Sequence, residues 1–329
     1  MIEKWCDLNG PRVCIRSPDG SLVARVIEGW AIRETEPAGI ADFTLTILHG
    51  AVTEPSDPGP LLFDGIMPDR LPCVIRQSGD RELYTVEDQA SLLLGVRDGV
   101  LTVAPGAEKL VRGSVAFQAF NAALALEDQY FLHAAALVLP ESDAAILIFG
   151  RSGFGKTTTT LALMAAGFGF LSDDGSIVKR SPAGDHIWGM PLSLKVHRNS
   201  ARMMPWLAPI ITDRWNAEDE QPVTPTALAA LLERPLPTPE PRPIAGLVVL
   251  GRRSEGQHHL SPLAKSEMLL SIAGDNVARN LKGVTKHHQD RMQRVAELVA
   301  AYPTYEMRVG PNLASLRDTV LAGLDGRLL

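Results

Sequence analysis

The sequence contains few cysteines, and their spacing excludes two common roles. Cys6, Cys14 and Cys73 are an odd number of residues without CxxC spacing. A disulfide framework uses an even number of cysteines, and a metal knuckle uses closely spaced pairs. We therefore expect three reduced, buried thiols.

Long hydrophobic runs are also missing. The longest apolar stretches, 134–139, 144–149 and 247–250, fall far short of the roughly 20 residues that cross a bilayer. The first residues, MIEKWCDLNG, do not place an apolar segment after a basic one, as a secretory signal does. We expect a cytoplasmic protein that has no membrane partner.

The chain has no surplus of basic residues. Its formal net charge is −6 and its pI is about 5.8, so no global positive charge is available to neutralise a nucleic-acid backbone. We do not expect nucleic acid as a partner. Of the 329 residues, 45% are hydrophobic and 21% charged, which is typical of a globular protein. The length fits one large domain or two ordinary ones.

Residues 1–115 predict a smaller β-rich or α+β domain. Short β-like runs alternate there with turn residues such as Pro18-Asp19-Gly20. The acidic residues and His49 are scattered singly, so the pattern indicates no catalytic set and leaves partner recognition as a candidate role. The predicted strands are Arg12–Arg16, Ser21–Ile27, Phe43–Leu48, Leu61–Phe63 and Cys73–Arg76.

Residues 116–329 have the pattern of an α/β domain. Apolar residues at helical spacing over 114–127 predict a linking helix near the domain boundary. The next two apolar runs, 131–139 and 144–149, predict a hairpin of core strands. Further on we predict a strand at Ile244–Leu250 and helices at 262–272, 289–301 and 313–324.

A phosphate-binding loop follows the second strand of this hairpin. Residues 150–157 match G-x-x-x-x-G-K-[ST], and the match lies directly after an apolar strand and directly before a helical run. In such a loop the backbone N–H groups surround phosphate oxygens, the lysine contacts the β- and γ-phosphates, and the threonine hydroxyl binds Mg²⁺. The predicted nucleotide-binding residues are Gly150, Arg151, Ser152, Gly153, Phe154, Gly155, Lys156, Thr157 and Thr158.

Two adjacent acids and one histidine are expected near this loop. Asp173 and Asp174 follow a short apolar strand sixteen residues after Thr157, which leaves room for one helix and a returning strand. They should therefore reach the end of the sheet that carries the loop. One acid suits Mg²⁺ and the other suits a hydroxyl nucleophile. His133 lies in the predicted strand before the loop strand, and its ring could face the same end.

The order of these motifs resembles a known family. The run FLHAAALV, followed by ILIFGRSGFGKTTTTLALMAAGFGFLSDDGSIV, resembles the catalytic domain of HPr kinase/phosphorylase. The later pieces PLSLKV, SPLAKSEMLLSIAGDNVARN and YPTYEMRVG resemble the HPr kinase-related proteins. The similarity covers roughly 115–329 and implies an α/β P-loop kinase domain of the HPr kinase type.

The resemblance implies an ATP- and Mg²⁺-dependent kinase that phosphorylates a serine hydroxyl of a small protein or peptide. It makes Asp173 the catalytic base and gives Lys156 and Thr157 phosphate and metal roles. Asp174 becomes an acid on the metal side, and His133 a neighbour of the transferred phosphoryl group. All five residues are present at the matching positions.

Four basic residues outside these motifs are candidate contacts to substrate or phosphate. Lys195 matches a lysine of the related proteins, and it is joined by Arg242, Arg252 and Arg253. The stretch Leu236–Pro243 contains Arg242, and its many prolines favour an extended backbone. We hypothesise that it closes over nucleotide or acceptor and brings an arginine to the phosphoryl group.

One departure from the family and two rival functions bear on this interpretation. The bifunctional enzyme has a Glu-Ile-Arg-Gly-type segment where residues 187–196 of this chain read IWGMPLSLKV. This difference argues against recognition of HPr itself as the acceptor and against phosphorylase activity. One rival is a nucleotide-gated binding protein without phosphotransfer, which need not keep the acidic pair. The other is a phosphoenolpyruvate-carboxykinase-like enzyme, whose His and Lys metal ligands are not evident here. Both a monomer and an oligomer are compatible with the sequence.

Overall fold

The computed structural model describes residues 1–37, 39–52, 59–151, 153–234, 240–276 and 286–325. The protein is a mixed α/β protein with large mixed sheets. It divides into two compact units. The first comprises Met1–Tyr130 and the described part of 277–291, and the second comprises Phe131–Asn276 and the described part of 292–329. No helix within these described ranges is long and apolar enough to cross a membrane.

The described residues of 1–130 in the first unit form one sheet and two α-helices. Within the described residues its strand order is β3-β1-β2-β4-β9-β8-β7-β6-β5. The neighbours β2, β4 and β9 run parallel, and the other pairs are antiparallel. The elements are β1 (Ile2–Asp7), β2 (Arg12–Ser17), α1 (Gly20–Trp30), β3 (Glu34–Thr35), β4 (Phe43–His49), β5 (Leu61–Ile66), β6 (Pro72–Ser78), β7 (Arg81–Val86), β8 (Ala90–Leu94), β9 (Asp98–Val103) and α2 (Ser114–Ala125), with a 3₁₀ turn at Glu108–Arg112.

Four of the five predicted strands of this unit are confirmed, and the fifth is wrong. The segment Ser21–Ile27 lies in helix α1, because Asp19 acts as an N-cap and accepts a hydrogen bond from the Ser21 amide. The buried residues Leu22, Val23, Val26 and Trp30 follow a helical period. All three cysteines lie in this unit and are free and buried, as predicted.

The predicted linking helix is confirmed as α2, but it belongs to the first unit. The Phe120 ring lies 5.0 Å from the Trp30 ring, measured between centroids, and both side chains are fully buried. The division of the chain therefore falls after Tyr130, fifteen residues beyond the boundary expected at 115.

The second unit contains a sheet whose described strands follow the order β10-β14-β15-β18-β12-β11-β13, with β20 on β18 and β19 on β20. A separate pair is formed by β16 and β17. Two elements, β10 (Gln129–Leu132) and α7 (Lys286–Ala301), begin in the first unit and end in the second. The other elements are β11 (Ala135–Val138), β12 (Ala145–Phe149), α3 (Lys156–Ala165), β13 (Gly169–Ser172), β14 (Ser176–Lys179), β15 (His186–Gly189), β16 (Leu194–His197), α4 (Arg198–Met203), β17 (Glu220–Val223), α5 (Pro225–Leu231), β18 (Arg242–Leu250), β19 (His259–Pro262), α6 (Lys265–Asn276), β20 (Thr304–Arg308) and α8 (Leu316–Asp325), with 3₁₀ turns at Pro205–Ile210 and Leu313–Ser315.

Strand direction gathers several chain segments at one edge of this sheet. Strand β11 is antiparallel to β12 and to β13, so β12 and β13 end at the same edge where β11 begins. Strands β18 and β20 are parallel to β12 and also end there. The segments after β12, β13, β18 and β20, and the one before β11, therefore meet at this edge.

The predicted hairpin is confirmed as the antiparallel pair β11 and β12. The first apolar run is nevertheless broken, because His133 and Ala134 form a bend between β10 and β11. The prediction that His133 lies within a strand is therefore wrong. The predicted strand at 244–250 is confirmed as part of β18, whereas Pro262, predicted to start a helix, ends strand β19 instead.

Candidate functional site

The predicted phosphate loop leaves β12 at Gly150 and enters α3 at Lys156. Gly153 and Gly155 have φ values of +83° and +92°, which are strained for residues with a side chain. At Gly150, an added Cβ would lie 3.3 Å from the side chain of Leu250. Backbone conformation therefore favours glycine at 153 and 155, and the side chain of Leu250 leaves little room for a Cβ at 150. Ser152 lies outside the described residues; Arg151, Gly153 and Phe154 are exposed.

Lys156, at the start of α3, is buried to 9% exposure and has two polar neighbours. Its Nζ lies 2.6 Å from Asp174 Oδ1 and 3.0 Å from His133 Nε2. An ammonium can only donate, so His133 Nε2 accepts and the imidazole is neutral. Burial and the nearby Lys156 charge both lower the pKa of His133, which agrees with a neutral ring.

Asp173 is buried directly beside the threonine of the loop. It is 5% exposed, and its Oδ2 accepts a hydrogen bond of 2.7 Å from the Thr157 hydroxyl. Its Oδ1 is buried without a hydrogen-bond partner among the residues that the structure describes. Burial and the charge of Asp174 raise the pKa of Asp173 to about 6, against the opposing effects of Thr157 and Lys156. A buried carboxylate oxygen without a hydrogen-bond partner lowers the stability of the fold unless a ligand or ion binds it.

Asp174 contacts the lysine, and its pKa shifts in the direction opposite to that of Asp173. Burial raises the pKa of this carboxyl, but the charge and hydrogen bond of the Lys156 ammonium, together with the charge of Lys195, bring it below its ordinary value. Asp174 is therefore an ionised group in a cationic surrounding. Lys195, an exposed residue on β16, thus lies within electrostatic reach of the site.

The structure adds two polar residues that sequence reasoning did not identify. Asn276 Oδ1, at the end of α6, accepts a 2.7 Å hydrogen bond from the His133 amide and so fixes the bend that carries the ring. The Ser200 hydroxyl on α4 lies 2.6 Å from the hydroxyl of Thr158. Thr158, predicted to bind nucleotide, therefore directs its side chain to α4. Spacing alone gave no signal for either contact, because both depend on tertiary structure.

The candidate arginines lie at two opposite ends of β18. Arg242 begins this strand and pairs with Asp143 at 2.8 Å, about 26 Å along the strand from its phosphate-loop end. This position argues against a contact between Arg242 and phosphate. The stretch 236–243, hypothesised to close over nucleotide or acceptor, lies partly within 235–239, outside the described residues. Its described part lies at the same end of β18 as Arg242. Arg252 and Arg253 follow the other end of the strand and are exposed.

No protein-family model matches this chain, and no curated protein matches it. The chemistry of the site is therefore inferred from its side chains. At one edge of the sheet the structure brings together Lys156, Thr157, Asp173, Asp174 and His133. This set combines a buried ammonium, the neighbouring oxygens of Thr157 and Asp173, and the carboxylate of Asp174, and it lies next to exposed loop residues.

Proposed function

We propose that the second unit is a P-loop kinase domain of the HPr kinase type. In this proposal it transfers the γ-phosphoryl group of ATP to a hydroxyl, a serine of a small protein or peptide. The observation that carries the proposal is the convergence of two aspartates on the first two residues of the helix that follows the phosphate loop. A protein that only binds nucleotide needs the loop but not both acids.

The residues present fit a Mg²⁺ ion held together with the nucleotide. Among the described residues no group of three or more His, Cys, Asp or Glu side chains is placed to hold a metal. Mg²⁺ in nucleotide sites is bound by one or two protein oxygens and by phosphate oxygens and waters. The Thr157 hydroxyl and the unpartnered Oδ1 of Asp173 are such oxygens. When bound, the ion would neutralise charge on the phosphate oxygens.

The contacts favour a division of roles between the aspartates that is opposite to the sequence-based one. Asp173 contacts Thr157, the residue assigned to the metal. Asp174 contacts Lys156 and lies 3.8 Å from His133, the two residues assigned to the transferred phosphoryl group. We therefore assign Asp173 to the metal side and Asp174 to the acceptor hydroxyl.

In the proposed reaction the acceptor hydroxyl binds next to Asp174. Its oxygen attacks the γ-phosphorus in line, the bond to the β,γ-bridging oxygen breaks, and ADP leaves with that electron pair. Asp174 takes the hydroxyl proton. Lys156 exchanges its contact with Asp174 for the phosphates and stabilises charge on them. Neutral His133, which accepts from Lys156, keeps the ammonium directed into the site.

Nucleotide binding and phosphotransfer test the proposal in turn. ATP with Mg²⁺ should stabilise the protein by about 2.7 kcal/mol at a hundredfold excess over Kd, which thermal unfolding detects. A short peptide or carrier protein encoded beside this gene is then incubated with enzyme, ATP and Mg²⁺. Mass spectrometry should find one added phosphate on the acceptor.

Two variants sharpen this test. Lys156→Ala should abolish transfer and the nucleotide-dependent stabilisation, because the ammonium holds the phosphates. Lys109→Ala, an exposed lysine of the first unit, is the control and should behave as wild type. No stabilisation of wild type by millimolar ATP–Mg²⁺ would overturn the phosphate-loop assignment. Stabilisation without transfer to any neighbouring gene product would favour the nucleotide-gated binding protein.

A further inference from the structure

The segment after β18 is held firmly beside the phosphate loop. The last residue of β18, Leu250, packs against Gly150 at the start of the loop. Two backbone hydrogen bonds then fasten the following residues to the β20 side of the sheet. The Gly251 amide donates to Met307 O at 2.9 Å, and the Ser254 amide donates to Val309 O at 3.0 Å.

A buried histidine fixes the rest of this segment. His258 Nδ1 accepts from the Gly310 amide at 2.8 Å, and Nε2 donates to Asn312 O at 2.6 Å. Both ring nitrogens are thus used. Gly310 is required at this contact, because an added Cβ would lie 2.3 Å from Gly256 O. The backbone from Gly251 to His258 therefore has anchors at both ends.

Arg253 projects from this anchored segment onto the phosphate loop. Its Nη2 lies 3.7 Å from the point that a Cβ on Gly155 would occupy. The side chain is exposed and makes no ion pair with any residue in the described ranges. The carboxylate of Glu306, which lies beside Gly251, is paired with Arg308 at 2.8 Å.

The charges of the site make this unpaired guanidinium significant. The ammonium of Lys156 is already matched by Asp174, so the pair carries almost no net charge toward an anion. A polyphosphate needs a further cation, and the guanidinium of Arg253 lies against Gly155 of the loop. A guanidinium donates several hydrogen bonds in a planar fork that suits phosphate oxygens.

We propose that Arg253 is a second cationic contact to the phosphates of the bound nucleotide, supplied from the end of β18. The ligand class is a nucleoside di- or triphosphate. This inference rests on the proposed function, since it concerns the same loop. It adds a residue that the phosphate-loop motif does not contain.

Isothermal titration with ADP and Mg²⁺ tests this contact without any acceptor. Arg253→Ala should weaken ADP binding by about tenfold or more, because a charge-assisted hydrogen bond is lost. Arg253→Lys should recover part of the loss. Arg214→Ala, which removes another exposed arginine of the same unit, should stay within twofold of wild type. Because Arg253 is exposed, its variants should unfold at the wild-type temperature without nucleotide.

The outcomes separate the two hypotheses. Wild-type ADP affinity in Arg253→Ala would overturn the Arg253 contact and leave the proposed function intact. Equal weakening in Arg253→Ala and Arg214→Ala would also overturn it, because net charge alone would then explain the effect. If wild type itself does not bind ADP, the proposed function fails.

Discussion

Lys156 has two polar neighbours with which a bound phosphate would compete. Its ammonium contacts Asp174 Oδ1 and His133 Nε2 at hydrogen-bond distance. A phosphate that binds Lys156 must displace a carboxylate of the same sign as itself. Under the proposed function we therefore expect Asp174 to oppose nucleotide binding in the resting site and to become available to the acceptor when Lys156 contacts the phosphates.

This competition leads to different expectations for the two aspartates. Asp174→Asn should strengthen ADP binding several-fold, because the loop loses a negative charge, while it lowers kcat by ~10²–10⁴, as expected for losing acid–base catalysis. Asp173→Asn should weaken Mg²⁺-dependent ADP binding. Titration calorimetry with and without Mg²⁺ and a single-turnover assay measure both effects. Weaker ADP binding in Asp174→Asn than in Asp173→Asn would restore the sequence-based assignment.

The three thiols give a second expectation at the level of single residues. Burial raises the pKa of Cys6 and of Cys73 to about 12, and it also raises the pKa of Cys14. The reactive thiolate is therefore scarce in the folded protein at pH 7 to 9. The stabilisation that the protonated thiols of Cys6 and Cys73 contribute is fully present below the ordinary thiol pKa near 9 and is lost as the pH rises toward 12.

A thiol-reactive chromophore checks this at pH 8. The native protein should release almost no chromophore over minutes, and the protein in denaturant should release three equivalents. Rapid reaction of one equivalent in the native state would mean that one thiol is accessible and ionised, contrary to its burial.

At the level of elements, the start of α3 explains an unusual sequence. Four consecutive threonines are poor helix formers, yet residues 157–160 open this helix. Thr157 contacts Asp173, Thr158 contacts Ser200 on α4, and the last two are buried. Tertiary contacts therefore compensate for the low helix propensity.

The hydrogen bond between Thr158 on α3 and Ser200 on α4 should make a measurable contribution to the stability of the fold. Thr158→Val keeps the shape of the side chain but leaves the Ser200 hydroxyl buried without its partner, so it should destabilise the fold by about 1–2 kcal/mol. Ser200→Ala should cost a similar amount, and the double variant should cost less than the sum, with a coupling of about 1 kcal/mol. Urea unfolding measures all three. Strict additivity would mean that the two hydroxyls do not stabilise each other.

Local patterns predicted the elements whose determinants are local. The apolar runs bounded by turn residues gave β4, β6, β11, β12 and β18, and the motif placed α3 after the loop. Helix α1 was missed because its apolar residues include β-branched ones, and the Asp19 cap was interpreted as a turn. The bend at His133 was not predictable, since it depends on Asn276, which is 143 residues away in the chain.

The same distinction applies to the site residues. The expectation that both aspartates would reach the loop needed only the length of one helix and one strand. To predict which residue each aspartate contacts, the positions of Thr157 and Lys156 in the folded structure must be known. Arg242 and Arg253 are equally cationic in the sequence, but the direction of β18 puts them at opposite ends of the strand.

At the level of the whole molecule, every residue assigned to the site belongs to the second unit. They come from the segments that meet at one edge of its sheet, and from α3 and β16. The first unit contributes none of them. A nucleotide should therefore order backbone in the second unit and leave the sheet of the first unit unchanged.

Hydrogen exchange with mass spectrometry tests this expectation with ADP and Mg²⁺. Exchange should slow in peptides covering 153–160, 172–176 and 250–254, because amides that bind phosphate or lie beside it open less often. Peptides from the first-unit strands, such as 43–49 and 98–103, should exchange at the same rate with and without nucleotide. Lys156→Ala is the control. At ADP and Mg²⁺ concentrations that saturate the wild type, its exchange rates should be the same with and without nucleotide. Protection of equal size in the first-unit strands would mean that nucleotide binding is coupled to that unit as well.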